Sequence, residues 1–502
     1  MILLVSILLG LIILEVIDAY LPLSWLKKFL TVINLIAVST LSISILVIKP
    51  SIWSAVLCYF SIFRVINLFK LYDSRKQIDF LRSSTIRSSL MLGLFQLVDI
   101  LIAYSADYLK INYQDRWAIL VIIDLCLVLI VLISLIRSLS KTQPKLVKDF
   151  IEDKKLPPLT VAIPARNETK ELEECLMSVI ASDYPKLEIL VLDDCSQEKR
   201  TPEIIRQFAH DGVRFLAGTV PNDSWTAKNF AYQQLSDQAS GQIILFCGVD
   251  IRFERQSIRH MVELKIKKNK KMISFMPNNV LPSYKFKRLL IQPARYLWEM
   301  GLPRRFFKKP PVLSSCWLID SSLLRSVGSF KSASRSIEPE RYFAKKAINQ
   351  KDGYSFISSG NLFGLISNKS FEEQLETGIR TRYPLLKQRL ENVSLISLVE
   401  AVIFVLPVGL LIYEIIRLDI FLIVISGICY LLTNVLLYQI TKLTYSKNLL
   451  LSLICAPFVF GYDIGLCFYS MWRYEFSHVD WKGRNVCIPV MQLVNTNRST
   501  LN

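Results

Sequence analysis

What most constrains the fold of this 502-residue chain is where its apolar residues lie. Stretches long enough to cross a bilayer, about 20 residues for a hydrocarbon core of about 30 Å, occur near 2–20, 30–49, 52–69, 88–105 and 117–137, and again at 394–416, 418–440 and 449–471. Between the two groups lies a polar block with no spanning segment. A content of 52% apolar side chains at a mean hydropathy of +0.36 excludes a disordered or fibrous chain and points to a membrane protein. The expected division is a five-helix transmembrane region over 1–140, a cytoplasmic domain over 141–393, transmembrane or re-entrant helices over 394–475, and a tail over 476–502.

Basic residues gather on the cytoplasmic side of membrane proteins. The first and third loops carry Lys27, Lys28, Lys70, Arg75, Lys76, Arg82 and Arg87, and the second and fourth only Lys49, Lys110 and Arg116. The amino terminus then faces outward, five crossings deliver the central block to the cytoplasm, and a cell-membrane location follows. Three further crossings would put Trp481-Lys482-Gly483-Arg484 outside; a cytoplasmic tail needs a re-entrant or interfacial stretch, best placed around Cys455-Ala456-Pro457 and Asp463. Charged residues within the apolar stretches, among them Glu15, Arg64, Asp99, Asp124 and Asp463, read as helix-to-helix bonds or as a transport path. Ten cysteines without C-x-x-C spacing and three distant histidines offer no structural zinc site.

Residues 157–280 alternate β-branched runs with amphipathic stretches, the pattern of βαβ units and a mostly parallel sheet. Strands are expected at Leu159 to Ala165, Leu187 to Leu192, Val213 to Ala217, Gln242 to Cys247 and Met272 to Met276, with helices near 170–182, 201–210, 226–239 and 255–268. Ligands of such sheets bind beyond the carboxyl ends of the strands. Three of those ends carry polar clusters: Pro164-Ala165-Arg166-Asn167-Glu168, Asp193-Asp194-Cys195-Ser196 and Gly248-Val249-Asp250. Each alone is ordinary turn chemistry, but together they describe a carboxylate-lined crevice suited to a cation carrying phosphates or to ribose hydroxyls. No G-x-x-x-x-G-K-[ST] loop and no G-x-G-x-x-G after the first strand is present, which removes the main support for ATPase and NAD-dehydrogenase readings.

With Leu190-Val191-Leu192-Asp193-Asp194-Cys195-Ser196 and Trp225-Thr226-Ala227-Lys228-Asn229-Phe230-Ala231, these motifs make the block resemble the inverting GT-A glycosyltransferases of family 2. The resemblance is nearest to membrane members acting on carotenoid (diaponeurosporenoate), ceramide and hopanoid lipids, and covers about 157–347; Trp481-Lys482-Gly483-Arg484 also resembles the carotenoid enzymes. It implies an α/β GT-A domain, Rossmann-like and mostly parallel, inserted between transmembrane helices. Pro164, Arg166, Glu168 and Asp193 or Asp194 would hold the nucleoside of a nucleotide-sugar donor, a UDP-sugar, and Lys228 would reach its diphosphate. Asp250 matches the second aspartate of the family's D-x-D motif, which helps hold a divalent cation, Mg²⁺ or Mn²⁺. Gly248 replaces the first aspartate, so metal could bind weakly, recruit Asp193 or Asp194, or not bind.

Inversion needs a carboxylate to take the proton of the attacking hydroxyl. The resemblance places it in Ser336-Ile337-Glu338-Pro339-Glu340, with Glu340 as base and Glu338 beside it, although Pro and Glu also suit a helix's first turn for structural reasons. The family's Q/R-x-x-R-W motif is not matched; Arg380-Thr381-Arg382-Tyr383 stands there, and Arg380 and Arg382 are the candidates for the diphosphate. Residues 265–309 hold thirteen Lys and Arg against one acid, Glu299, out of a net charge of +18, interleaved with aromatics such as Tyr284, Tyr296, Trp298, Phe306 and Phe307. In a domain tethered at both ends to a bilayer, this belt reads as a contact with anionic headgroups, not with nucleic acid. The expected function is inverting transfer of a sugar to a lipid acceptor. The alternatives are a silent GT-A protein acting as sensor or scaffold, which the Gly248 replacement favours, and a polysaccharide synthase, which the missing Q/R-x-x-R-W motif disfavours.

Overall fold

The computed structural model describes residues 2–20, 25–48, 51–72, 79–109, 111, 113–143, 151–222, 224–281, 286–303, 309–350, 353–358 and 363–485. Five helices open the chain: α1 (Ile2–Tyr20), α2 (Trp25–Ile48), α3 (Ile52–Tyr72), α4 (Asp79–Tyr108) and α5 (Tyr113–Thr142). Among the described residues, six helical stretches are long and apolar enough to cross a membrane: Phe29–Val47, Ile52–Lys70, Ser84–Tyr108, Arg116–Thr142, Leu390–Arg417 and Ile420–Tyr445. Helix α1 covers the stretch expected at 2–20, with the apolar stretch Ser6–Ile17 inside it. Charge inside this bundle serves helix packing: Arg64 pairs with Glu15 at 2.5 Å and donates to Gln96 at 2.8 Å, joining α1, α3 and α4. An isolated charge in hydrocarbon costs several kcal/mol, and this triad satisfies it within the bundle.

The central block folds as the β-branched runs require. A seven-stranded sheet has the order β3-β2-β1-β4-β8-β6-β9, with β1 (Leu159–Ala165), β2 (Leu187–Asp193), β3 (Val213–Ala217), β4 (Ile243–Cys247), β6 (Met272–Met276), β8 (Cys316–Asp320) and β9 (Tyr354–Ser358). The first four strands are parallel, with Leu159 paired to both Leu187 and Ile243. Strand β8 enters antiparallel between β4 and β6. Continuous apolar runs such as Ile243–Cys247, buried at every residue, mark strands covered on both faces. One face packs α6 (Lys170–Ile180) and α9 (Ser257–Lys267) over Val161, Ile163 and Leu245. The other packs α8 (Ala227–Gln238), α11 (Ser321–Ser326) and α12 (Pro339–Asn349) over an aromatic layer of Phe246, Trp317, Phe330 and Phe343. A second, three-stranded sheet β5 (Ile251–Phe253), β10 (Leu365–Ser367) and β7 (Asn278–Asn279) sits beyond the β4 end. This is a GT-A architecture set between apolar helices.

Helix α10 (Gln292–Gly301), inside the basic belt, docks the domain onto the bundle through Ala294, Leu297 and Met300, which cluster with Val128, Val131 and Leu135 of α5. The belt is therefore not one lipid-facing surface: this part of it joins the domain to the bundle, with Ala294, Leu297 and Met300 on the packed side of α10 and Arg295 its one basic residue. The belt residues at 282–285 and 304–308, including Tyr284, Phe306 and Phe307, lie outside the described residues.

After α13 (Phe371–Leu385) the chain turns into α14 (Leu390–Glu400), a π-helical stretch Ala401–Val405 and α15 (Leu406–Arg417), then α16 (Ile420–Tyr445) and α17 (Ala456–Phe476). The third carboxyl-terminal stretch, expected at 449–471, forms α17. Helix α17 is not among the candidate spans, and its polar side chains have protein partners: Asp463 pairs with Arg382, and Glu475 with Lys70 at 2.8 Å and with the Tyr383 hydroxyl. The hairpin β11 (Asp480–Trp481) and β12 (Arg484–Asn485) then lies on the GT-A domain. Between residue 390 and the tail, two helical stretches among the described residues are candidate spans, and the hairpin that follows contacts the domain.

Candidate active site

The carboxyl ends of β1, β2 and β4 meet at one crevice, as parallel βαβ winding dictates. Lys228 and Glu340 both sit in the first turns of helices, α8 and α12. Asn229 fixes their separation: its side-chain amide donates to the carbonyls of Ala333, Ser334 and Ser336, tying α8 to the chain that leads into α12. The Lys228 ammonium stands 3.6 Å from Glu340 Oε2, which has no hydrogen-bond partner although Glu340 is only 1% exposed. Burial pushes the Glu340 carboxyl above the ordinary glutamate range against the opposing pull of Lys228. Burial likewise pushes Lys228 down, opposed by Glu340.

Glu338 does not share this position. Both its oxygens accept from Arg341, at 2.6 and 3.0 Å, and although burial works the other way this contact holds it below the ordinary range. Arg341 also binds Glu299 of α10 at 2.7 Å and the Pro310 carbonyl. Through Arg341, Glu338 clasps the start of α12 to α10, and a carboxylate gripped on both oxygens by a guanidinium is a weak base.

On the other side of the crevice, the tail engages the residues expected on the nucleoside. Lys482 pairs with Glu168, Arg484 pairs with Asp194 at 2.6 Å, and Arg166 donates to the carbonyls of Lys482, Asp194 and Cys195. Trp481 packs under the Arg380 guanidinium, 4.8 Å from the ring centre. Lys482 and Gly483 both take positive φ, 46° and 75°, the two-residue turn that folds β11 back onto β12. Burial pushes Glu168 and Asp194 up, against the pull of Lys482 and Arg484. Asp193 Oδ1 accepts from the Ser196 backbone at 3.2 Å and from its hydroxyl, and Pro164 lies in β1 opposite Leu192. The motif Trp481-Lys482-Gly483-Arg484 was visible in the sequence, but its place on β1 and β2 was not.

Arg382 stands apart from Arg380. Its guanidinium pairs with Asp463 of α17, since residues two apart on a helix point to opposite sides and Arg380 takes the crevice side. Two cations that sequence reasoning missed stand with Arg380. Arg295 of α10 and Lys369, just before α13, lie within electrostatic reach of it and of each other. Burial pushes Lys369 down to about 8, Asp250 opposing and Arg380 and Arg295 adding to it; burial pushes Arg380 down to about 10.

The metal motif does not make a metal cradle. Asp250 Oδ2 accepts from the Ser367 hydroxyl at 2.8 Å, and Asp250 Oδ1 lies 2.5 Å from where a Cβ on Gly248 would stand, so a side chain at 248 would require Asp250 to turn aside. Asp193 and Asp194 are engaged as above, and among the described residues no group of three His, Cys, Asp or Glu side chains could hold an ion. Among the described residues the side chains alone make no such cradle; a hard cation here would take its remaining oxygen ligands from the donor's phosphates and from water.

Residues 160–328 match the family sequence model described as "Glycosyl transferase family 2". That matched segment holds strands β1 to β8 of the two sheets described above. Among curated relatives, "Glycosyltransferase AglE" of Haloferax volcanii is 37% identical over 99 residues, 19% of this chain and 31% of that protein. "Probable glycosyltransferase YdaM" of Bacillus subtilis is 29% identical over 113 residues, 22% of this chain and 26% of that protein. The chain thus matches less than a third of the length of either. Of solved structures, the mannosyltransferase PcManGT from Pyrobaculum calidifontis, in complex with GDP-Man and Mn²⁺, is similar with a TM-score of 0.43 at 14% identity, over 70% of this chain and 98% of that one. S. aureus TarS 1-349 with UDP-GlcNAc follows at 0.30 and 16%, over 45% and 66%.

Proposed function

We propose that the protein is an inverting glycosyltransferase that moves a sugar from a nucleotide-sugar donor to a lipid acceptor, with the GT-A domain on the cytoplasmic face of the cell membrane. The observation that carries this reading is Glu340: a buried carboxylate, its Oε2 without a hydrogen bond, beside Lys228 at the crevice. In the transfer, Glu340 takes the proton of the acceptor hydroxyl as the hydroxyl oxygen forms a bond to the anomeric carbon. The bond from that carbon to the diphosphate oxygen breaks, and the nucleoside diphosphate leaves with the electron pair. Lys228 stabilises its growing charge, and a raised carboxyl pKa makes Glu340 a stronger base than a solvated glutamate. Pro164 and Asp193, with Arg166, Glu168 and Asp194 braced by the tail, form the nucleoside wall. Docking of α10 onto the membrane helices supports a lipid acceptor, since it holds the crevice beside the bilayer.

A test is donor turnover by the full chain in detergent, with UDP- and GDP-sugars and a membrane lipid extract. Release of nucleoside diphosphate that depends on the extract and is lost in Glu340→Gln is the expected outcome. No binding of UDP or GDP and no turnover would leave the second reading, a silent GT-A scaffold, which the Gly248 turn favours.

A further inference from the structure

We infer that Glu475, in the last turn of α17, is a positioning residue of the donor site: it fixes the hairpin of β11 and β12, and through it the nucleoside wall, to the membrane helices. This rests on the transferase reading above and names what holds its nucleoside subsite in shape.

The loops of that wall lean on the hairpin. Asn167 and Cys195 both take positive φ, 48° and 52°, a sparsely populated region for residues with a side chain, which persists where neighbours over-determine it. The Lys482 carbonyl accepts from Arg166 Nε at 3.0 Å and from Asn167 Nδ2 at 3.1 Å, and Arg166 passes the hold on to the Cys195 carbonyl. Arg484 grips Asp194 by its carboxylate at 2.6 Å and by its carbonyl at 3.1 Å. The hairpin in turn hangs on α17. Ser477, His478 and Val479 are all that separates the two, a reach of about 14 Å at most, and Arg473 of α17 donates to the His478 carbonyl at 2.8 Å.

The end of α17 is held by Glu475, which is 7% exposed. Its Oε1 takes both the Lys70 ammonium of α3, at 2.8 Å, and the Tyr383 hydroxyl of α13. Beside it Tyr474 donates to the Arg380 carbonyl at 2.7 Å, and the Arg380 guanidinium lies over the Trp481 ring. The chain from Glu475 to Trp481 and the helix from Arg380 to Tyr383 therefore close a ring, which Lys70 ties to the candidate span Ile52–Lys70. A buried ion pair adds little stability over an apolar contact of the same volume, because desolvation offsets the attraction. It does impose a distance and a direction, and here these set where the hairpin meets β1 and β2. Lys228 and Glu340 sit on other helices, so loss of the Glu475 contacts relaxes the nucleoside wall and leaves the candidate base in place.

The full chain in detergent is titrated with UDP, GDP and pyrophosphate by calorimetry, and hydrogen exchange is followed at residues 165–168 and 193–196. In Glu475→Gln, nucleotide affinity is expected to fall at least five-fold and exchange at both loops to rise, with pyrophosphate affinity within two-fold of the parent and an unchanged melting temperature. Lys70→Arg keeps the ion pair and should bind nucleotide like the parent. Should Glu475→Gln not fold, Tyr383→Phe removes one hydroxyl from the same oxygen, and a two- to three-fold loss confined to the nucleotides is expected. A folded variant that binds nucleotide like the parent, or that loses nucleotide and pyrophosphate equally, overturns the inference and leaves the transferase reading in place. A parent chain that binds neither UDP nor GDP overturns both.

Discussion

The two halves of the crevice handle charge in opposite ways. Under the tail, Glu168 and Asp194 have partners in Lys482 and Arg484, and Arg166 knits the loops together. Toward α13, Arg295 and Lys369 are held near Arg380 without such partners among the described residues. Paired charge stabilises a wall; toward α13 the cations instead share the fields of Asp250, Glu373 and Glu376 without a direct ion pair among the described residues. That difference separates structure from recognition better than residue type does, because both halves are rich in arginine and lysine.

The comparison can be broken most directly at its shared edge. Replacing Glu340 by Gln removes the base while keeping shape, and transfer is expected to fall about 10²- to 10⁴-fold with nucleotide affinity retained, measured as single-turnover rate against calorimetric binding. Proportional loss of binding would mean that Glu340 only balances Lys228. Next comes the paired half. Changing Lys482 and Arg484 together to Ala strands two buried carboxylates, and because those partners are partly exposed, a loss of about 1–2 kcal/mol in denaturant stability is expected. Nucleoside affinity should drop, yet pyrophosphate affinity should hold; an equal loss of both would erase the division into halves.

A third variant separates neighbours on one helix. Arg382→Ala leaves Asp463 unpaired and should cost about 1–2 kcal/mol of stability without changing UDP or GDP affinity, whereas Arg380→Ala should weaken affinity with little effect on unfolding. The smallest effect is a pH dependence. With the Lys369 pKa pushed down to about 8, its positive charge is present below that pH and lost as pH rises through it. Nucleotide affinity of the full chain should fall a few-fold between about pH 7 and pH 9, and Lys369→Arg should flatten the profile. Asp250, Arg380, Arg295 and Glu373 face the same ammonium, so a flat parent profile would show that they hold its charge.

Much of the scaffold was legible in the chain itself. The β-branched runs at Leu159 and Leu187 place β1 and β2, and the apolar run at Gln242 to Cys247 matches β4, because strands buried on both faces need continuous apolar sequence. Strands β8 and β9 escaped notice: Cys316–Asp320 and Tyr354–Ser358 are short, and the former joins antiparallel between distant partners. The carboxyl-terminal topology also stayed open, since hydropathy alone does not show that Asp463 and Glu475 have partners at Arg382 and Lys70.

Local order in the chain determined the elements, the apolar spans and the polar strand ends, because periodicity and turn chemistry act over neighbouring residues. Only the tertiary structure decided which cations are paired and which are free. Arg295, Lys369 and Arg380 come from 86 positions of sequence and three different elements. Electrostatic energy depends on distance in space, which the order of residues along the chain does not record.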